Sequence, residues 1–362
     1  MRYFPLFLLL FSFSCSSNRS TLGSDLGQEK DASIRIRPID MGGDEGKKEE
    51  RDTRQDIQND VGEVCLARHS NPTPEGHPSD GWVWQKLGRV FEKDPQPAKA
   101  TQGDFSPSVV KVDEGYRLYF ARRRDEGWSI FTSKSSDGRQ WQTPEAVKGI
   151  EGHNVLSAHY QNGEVRLWFG SGSFATALSN DGVNFTDQVS RVLSPSDVGD
   201  FGKLSLLDPK VWVEAGVYKM WFGGFDGQTF RIAKATSANG VIWNADKAFL
   251  LERTGGNNFD STSVASPHVR KYGDTYYMWY GGYDTSKTDP GPWRIGLATS
   301  QDGTNWVRKG VTIPLSENGD DMWSTRDAAV FKTEAGTLSM IYVGMSDDSH
   351  YRLLSATTES CF

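Results

Sequence analysis

The feature that most limits the fold of this chain is an internal repeat. A turn-and-aromatic pattern, Ser-x-Asp/Asn-Gly-x-x-Trp/Phe, recurs at Ser135–Trp141, Ser179–Phe185, Ser237–Trp243 and Ser300–Trp306. Five stretches align around it, opening at Ser106, Val155, Asp208, Ser266 and Asp327, with starts 49 to 61 residues apart. Each reads as four strands. A short apolar run such as Val211–Val213 comes first, then a Gly- or Asp-containing turn. An aromatic second strand follows (Tyr218–Gly223, Tyr276–Gly281), then a third of the type Arg-Ile-x-x-Ala-Thr-Ser (Arg231–Ser237, Arg294–Ser300). The Asp-Gly or Asn-Gly dipeptide supplies the positive φ of a tight hairpin and leads into the fourth strand. The fifth stretch stops near Cys361 without its final turn and strand. The missing piece, SDGWVW, stands at the other end of the chain as Ser79–Trp84.

Four-stranded units at this spacing predict an all-β, five-bladed β-propeller over residues 79–362, its ring closed by an N-terminal strand that completes the last blade. Closure removes the exposed strand edges on which open sheets aggregate. The 38 Gly, 12 Trp, 12 Tyr and 19 Phe suit many short strands joined by tight turns. A net charge of −7 argues against nucleic-acid binding through phosphate neutralisation. A mean hydropathy of −0.56 excludes a protein of many membrane spans.

Ahead of the repeats, Arg2 precedes an apolar run from Phe4 to Phe13, about half the ~20 residues a membrane span requires. Residues 1–15 are read as an export signal. Cys15, just after the apolar run, resembles the lipidated cysteine of a bacterial lipoprotein signal. The alternative is plain cleavage after Ser14 or Ser16. Residues 16–78 form a mixed-charge linker with little to bury. The chain is thus expected in the cell envelope or secreted, meeting a membrane only through an N-terminal lipid, and monomeric. Cys65 and Cys361 flank the strands that would meet at the seam, so a disulfide between them is expected. Neither cysteine has metal-like spacing.

The order D-P-x-V, Y-x-M-W-Y-G-G, R-I-x-x-A-T-S-x-D-G-x-x-W resembles the five-bladed glycosidase superfamily of glycoside hydrolase families 43, 32, 68 and 130. The residues carrying it are Asp208–Val211, Tyr218–Gly224, Arg231–Trp243, Ser266–Val269, Tyr276–Gly282 and Arg294–Trp306. The sialidase Asp-box is a weaker parallel, because the spacing here is one residue shorter and the units number five. The family-43 resemblance implies a base Asp opening the first blade, an Asp opening the second and an acid Glu opening the third. Those slots hold Ser106, Val155 and Asp208.

Glycoside hydrolysis needs one carboxylic acid and one carboxylate. The residues that could supply them here are a rearranged pair, Asp208 and Asp327. Substrate contacts are expected from Asp226, Asp284 and Asp347 after the second strands, from Asp260 and Arg326 near the opening positions, and from Phe225, Tyr283, Trp293, Trp323 and His268. Flat rings beside carboxylates suit the apolar faces and hydroxyls of an oligo- or polysaccharide. The bland readings stay open. Asp208 could cap its opening turn, the repeated Asp226, Asp284 and Asp347 could shape turns, and Arg326–Asp327 could be a simple ion pair. No cofactor is required. The resemblance leaves a channel calcium near a histidine as an option. The functional alternatives are a glycan-cleaving enzyme and a non-catalytic propeller that binds glycan or protein.

Overall fold

The computed structural model describes residues 83–92, 102–286 and 292–358. The expected export signal and linker, Cys15, Cys65, Trp82 and Cys361 lie outside the described residues. Among the described residues twenty strands run in chain order, and there is no helix longer than a single 3-10 turn. None is therefore long and apolar enough to cross a membrane.

The strands form four-stranded antiparallel units. Unit 1 is β2 (Gly103–Val112), β3 (Gly115–Arg124), β4 (Gly127–Ser135) and β5 (Glu145–Glu151). Unit 2 is β6 (Leu156–Gln161), β7 (Glu164–Phe169), β8 (Phe174–Ser179) and β9 (Thr186–Leu193). Unit 3 is β10 (Ser205–Glu214), β11 (Val217–Phe225), β12 (Phe230–Ser237) and the two-residue β13 (Asn244–Ala245). Unit 4 is β14 (Ser263–Tyr272), β15 (Thr275–Tyr283), β16 (Trp293–Ser300) and β17 (Val307–Val311). The chain then supplies only three strands to unit 5: β18 (Ser324–Lys332), β19 (Leu338–Met345) and β20 (Tyr351–Thr358). Its fourth is β1 (Trp84–Arg89), which pairs antiparallel with β20 from Trp84↔Thr358 to Arg89↔Leu354. Units 5 and 1 also touch through one parallel bridge, Gly103↔Tyr351.

Burial explains why the second strands read as aromatic runs rather than alternating patterns. They are covered on both faces, so polar residues have no side on which to sit. In β15 every residue from Tyr276 to Gly282 is buried. The outer β9 is exposed over its first six residues and carries a polar sequence. Trp168, Trp221, Trp279, Tyr119 and Tyr342 are all but inaccessible.

Among the described residues the apolar core divides into five clusters, each shared by two units. Tyr119 and Ile130 meet Leu167 and Phe169 between units 1 and 2. Trp168 and Phe174 meet Met220 and Phe222 between units 2 and 3. Trp221 and Ile232 meet Met278 and Tyr280 between units 3 and 4. Trp279 and Leu297 meet Val330 and Tyr342 between units 4 and 5. Leu118 and Phe120 meet Ile341 and Val343 between units 5 and 1. The aromatic that follows each Asp-Gly or Asn-Gly turn enters the cluster between its own unit and the one before. Phe185, Trp243 and Trp306 do so for units 2, 3 and 4, and Trp141 does so for unit 1. Trp84 takes the corresponding place for unit 5.

The inner strands are tied together by side chains that accept the next unit's backbone N–H. Ser108 Oγ accepts from Ala158 at 2.9 Å and Ser157 Oγ from Val211 at 2.8 Å. His268 Nε2 accepts from Val330 at 3.0 Å. Lys210 holds the matching position in unit 3 but has no lone pair to offer. Its ammonium turns instead to Pro107 O at 3.0 Å and Leu156 O at 2.9 Å, in units 1 and 2.

Candidate functional site

The opening positions are not strand starts, as the repeat alignment suggests. Each first strand except β6 begins three residues earlier and is interrupted by a bulge. At each bulge one residue takes a left-handed backbone: Ser106 (φ 50°), Asp208 (φ 53°), Ser266 (φ 50°) and Asp327 (φ 52°). Pro107, Pro209 and Pro267 follow the first three, and a residue before proline is normally confined to extended backbone. Strain of this kind persists only where surrounding contacts enforce it, and it gathers at working sites. Unit 2, with Val155 in this slot, has no bulge.

The bulges bring these four residues together in two bonded pairs. Ser266 Oγ donates to Asp208 Oδ2 at 2.7 Å, joining units 4 and 3. The Ser106 N–H reaches Asp327 Oδ2 at 3.4 Å, joining units 1 and 5. Arg326 Nε pairs with Asp327 Oδ1 at 3.1 Å. Asp208 and Asp327 are only 2% and 3% exposed. Burial disfavours charge on Asp208, and the neighbouring Asp327 carboxylate disfavours it further. Together they push its pKa up to about 6, against Arg326, Ser266 and Lys210. Burial also acts on Asp327, but Arg326, the Ser266 hydroxyl and Lys210 outweigh it and hold this carboxyl below its usual range. Burial draws Lys210 down to about 8 in spite of both acids. The two carboxyl groups thus have proton affinities driven in opposite directions, which is what separate acid and base roles require.

Half-buried rings surround the pair. The Arg326 guanidinium lies 4.7 Å from the centre of the Trp293 ring, and Trp293 meets Tyr283 at 4.7 Å. On the other side Phe105, next to Ser106, contacts Tyr351 at 4.6 Å and Trp128 at 5.1 Å. Arg123 lies over Trp128 at 5.7 Å. The Tyr351 phenol is raised by burial and also feels Arg326, Asp327, Tyr283 and Arg123.

No family profile matches the sequence. An uncharacterized protein of Mycobacterium tuberculosis is 25% identical over 301 residues, spanning 72% of this chain and 95% of the relative. Among solved structures, a glycoside hydrolase superposes with a TM-score of 0.62 at 15% identity, covering 79% of this chain and 93% of its own. A thermostable family-43 glycoside hydrolase gives 0.56 at 14% identity over 74% and 93%. The catalytic domain of a Coprinopsis cinerea GH62 α-L-arabinofuranosidase gives 0.58 at 12% identity over 79% and 98%. The chain has the β-propeller fold of the glycoside hydrolases.

In this propeller the bulges, the ends of the second strands and the starts of the third share one end of each blade, as the pairs Ser205↔Phe225 and Phe225↔Phe230 show for unit 3. Of the site residues expected from sequence, Asp208, Asp327, Arg326, Tyr283 and Trp293 come together there. Trp323 is half-buried nearby and offers its backbone carbonyl to Arg294 at 3.4 Å. Others are engaged elsewhere. Asp226 accepts the Gln228 and Thr229 N–H groups at 2.8 and 2.9 Å and pairs with Arg231 at 2.5 Å, which makes it a turn residue. Phe225 stacks on Phe230 at 4.5 Å. Asp284 is buried and accepts from the Ser286 N–H and hydroxyl at 3.0 and 2.7 Å. Asp347 is exposed beyond β19. Asp260 is sealed among Tyr280, Thr254 and Arg308 at 2.9, 2.6 and 3.0 Å.

His268 binds the backbone of unit 5, and burial holds it well below its usual pKa, so its ring is neutral. The charged groups it feels are Arg270 and Lys210, and not a carboxylate. With the Lys210 ammonium buried among the first strands, these residues do not fit a calcium ion. Among the described residues there is also no group of three or more His, Cys, Asp or Glu that could hold a metal. The sequence reading missed Trp128 and Tyr351, which both contact Phe105 next to the first bulge. Their one signal was position, since both lie at the start of a third strand, as Trp293 does.

Proposed function

We propose that this chain is an exported, five-bladed β-propeller that holds a saccharide over the Asp208–Asp327 pair and cleaves a glycosidic bond there. Ring closure is supported by the five core clusters, which link each unit to the next and the last to the first, and by Trp84 taking the fifth unit's aromatic position. Export is supported by Arg2 and the apolar run behind it. The glycoside hydrolase and arabinofuranosidase names of the structural neighbours support a carbohydrate ligand.

One observation carries the chemistry: two buried carboxyl groups with proton affinities driven apart. Asp208 keeps its proton up to a pH of about 6 and gives it to the leaving glycosidic oxygen. Asp327, ionised and steadied by Arg326, takes a proton from the water whose oxygen joins the anomeric carbon as the old C–O bond breaks. The half-buried rings of Trp293, Tyr283, Tyr351 and Trp128 supply stacking faces.

The test is turnover on a panel of aryl glycosides and polysaccharides. Activity is expected to fall as pH rises past about 6, where Asp208 loses its proton. Both Asp208→Asn and Asp327→Asn should abolish it. Turnover that survives both substitutions overturns the assignment. One observation favours a second reading, binding without cleavage: both carboxyl groups are almost inaccessible, and the oxygens described above are taken up by protein partners. Retention on a glycan array with no product released would establish it.

A further inference from the structure

Arg123 is the one guanidinium of the triplet 122–124 that the acidic residues among the described residues leave alone. Arg122 makes a double bond to Asp104, with Nε and Nη2 each at 2.8 Å, and Arg124 approaches the same carboxylate at 4.0 Å. Arg123 is set between them in sequence but faces the other way, as alternation along β3 requires. It pairs in register with Gly103 on one side and with Trp128 on the other. Its guanidinium rests over the Trp128 ring, and no carboxylate among the described residues bonds it. It is half-buried, so it is partly withdrawn from water yet open to a ligand.

Its surroundings tie it to the mouth. Trp128 touches Phe105, Phe105 touches Tyr351, and the residue after Phe105 gives its N–H to Asp327. Gly103, in register with Arg123, also bridges Tyr351. Space there is tight: a Cβ on Gly103 would lie 2.0 Å from the Tyr351 carbonyl oxygen, so the seam between units 5 and 1 holds these groups close. The outcome is a guanidinium over one ring, joined through two more to the residue that bonds Asp327. An arginine held over a ring keeps its fork of N–H donors free in the guanidinium plane, which matches the two oxygens of a planar carboxylate.

We propose that the mouth recognises an acidic saccharide, with Arg123 clamping the carboxylate of a uronic acid residue whose ring stacks on Trp128. This rests on the saccharide reading above and adds the class of sugar. The aromatic wall takes the apolar face, and Arg123 distinguishes a uronate from its neutral parent.

The experiment measures calorimetric binding of glucuronic- and galacturonic-acid oligosaccharides, their carboxyl-reduced counterparts and sulfated oligosaccharides of the same length. Each is titrated into wild type, Arg123→Met and Arg123→Lys. The expected result is uronate binding at least tenfold tighter than binding of the reduced form, weakened by salt. Arg123→Met should erase that difference and leave the reduced form unchanged, and Arg123→Lys should restore it in part. Equal binding of uronate and reduced forms by wild type overturns the inference while leaving the saccharide reading intact. So does an unaltered uronate preference in Arg123→Met. Sulfated chains bound as tightly as uronates overturn the carboxylate assignment. Binding of no saccharide, neutral or acidic, by a folded wild type removes the saccharide reading beneath it.

Discussion

The two ends of each blade follow opposite rules. At one end the Ser-x-Asp/Asn-Gly turn repeats with nearly identical geometry. Ser135, Ser179, Ser237 and Ser300 each accept the N–H three residues on at 2.8 to 2.9 Å. Asp137, Asp181, Asn239 and Asp302 each accept two further N–H groups at 2.8 to 3.0 Å. At the other end the strained bulge recurs in four units, but its side chain varies: Ser106, Asp208, Ser266, Asp327. Where the same backbone carries the same side chain every time, that side chain serves the backbone. Where the backbone is repeated and the side chain is not, the variation has another purpose, and here it assembles an acid pair bridged by hydroxyl and guanidinium groups.

The strongest challenge to that contrast is Asp327→Asn. It takes from half-buried Arg326 and buried Lys210 the stronger of the two carboxylates that balance them. Removing one partner of a buried ion pair typically costs about 3–5 kcal/mol. Urea unfolding should show a loss of that size, with hydrolysis abolished. A loss below about 1 kcal/mol, within the range of an exposed pair, would place Asp327 outside the network.

Asp208→Asn should act in the opposite direction. Asp208 titrates near 6 in the folded chain and near its usual, lower value when unfolded. A raised carboxyl pKa means that the folded state binds the extra proton. The stabilisation is complete below about pH 4 and is lost as pH rises through about 6. Above that, wild type carries a buried charge that asparagine lacks, while asparagine still accepts from Ser266. The variant should match wild type near pH 4 and exceed it near pH 8 by about 1–3 kcal/mol. Thermal unfolding across that range checks it, and parallel curves would mean that the two carboxyl groups are not held apart.

The repeat, the four-strand units and the borrowed strand at Trp84 were all readable, because each depends on residues within one unit or on a pattern with a missing member. The acid pair was readable as two carboxylates in equivalent slots. The bulge was not, because a left-handed serine before proline contradicts local preference and is imposed by neighbouring units. Nor was the mouth. Phe105 and Tyr351 lie 246 residues apart in sequence, in the first and last units, and only the contact between units 1 and 5 makes them touch. Asp260 misled for the converse reason. Its place before an opening position looked functional, but Tyr280 and Arg308 claim it, as Tyr342 claims Asp321 and Arg122 claims Asp104.

The gentlest test of the comparison lies in the turns. Asn239 is exposed and accepts from Val241 at 3.0 Å and Ile242 at 2.9 Å. In Asn239→Ala, water can take over both N–H groups, while the buried Ser237 hydroxyl still holds Gly240 at 2.9 Å. The loss should therefore stay near the net worth of an exchanged hydrogen bond, about 0.5–1.5 kcal/mol. Saccharide binding should be unaffected, because the Tyr218↔Ser237 end of unit 3 is remote from the Phe225↔Phe230 end that faces the mouth. Denaturation and binding measured on the same preparation would separate the two ends. A binding defect without a stability defect would show that the turns also serve the site, and the division between scaffold and site would have to be redrawn.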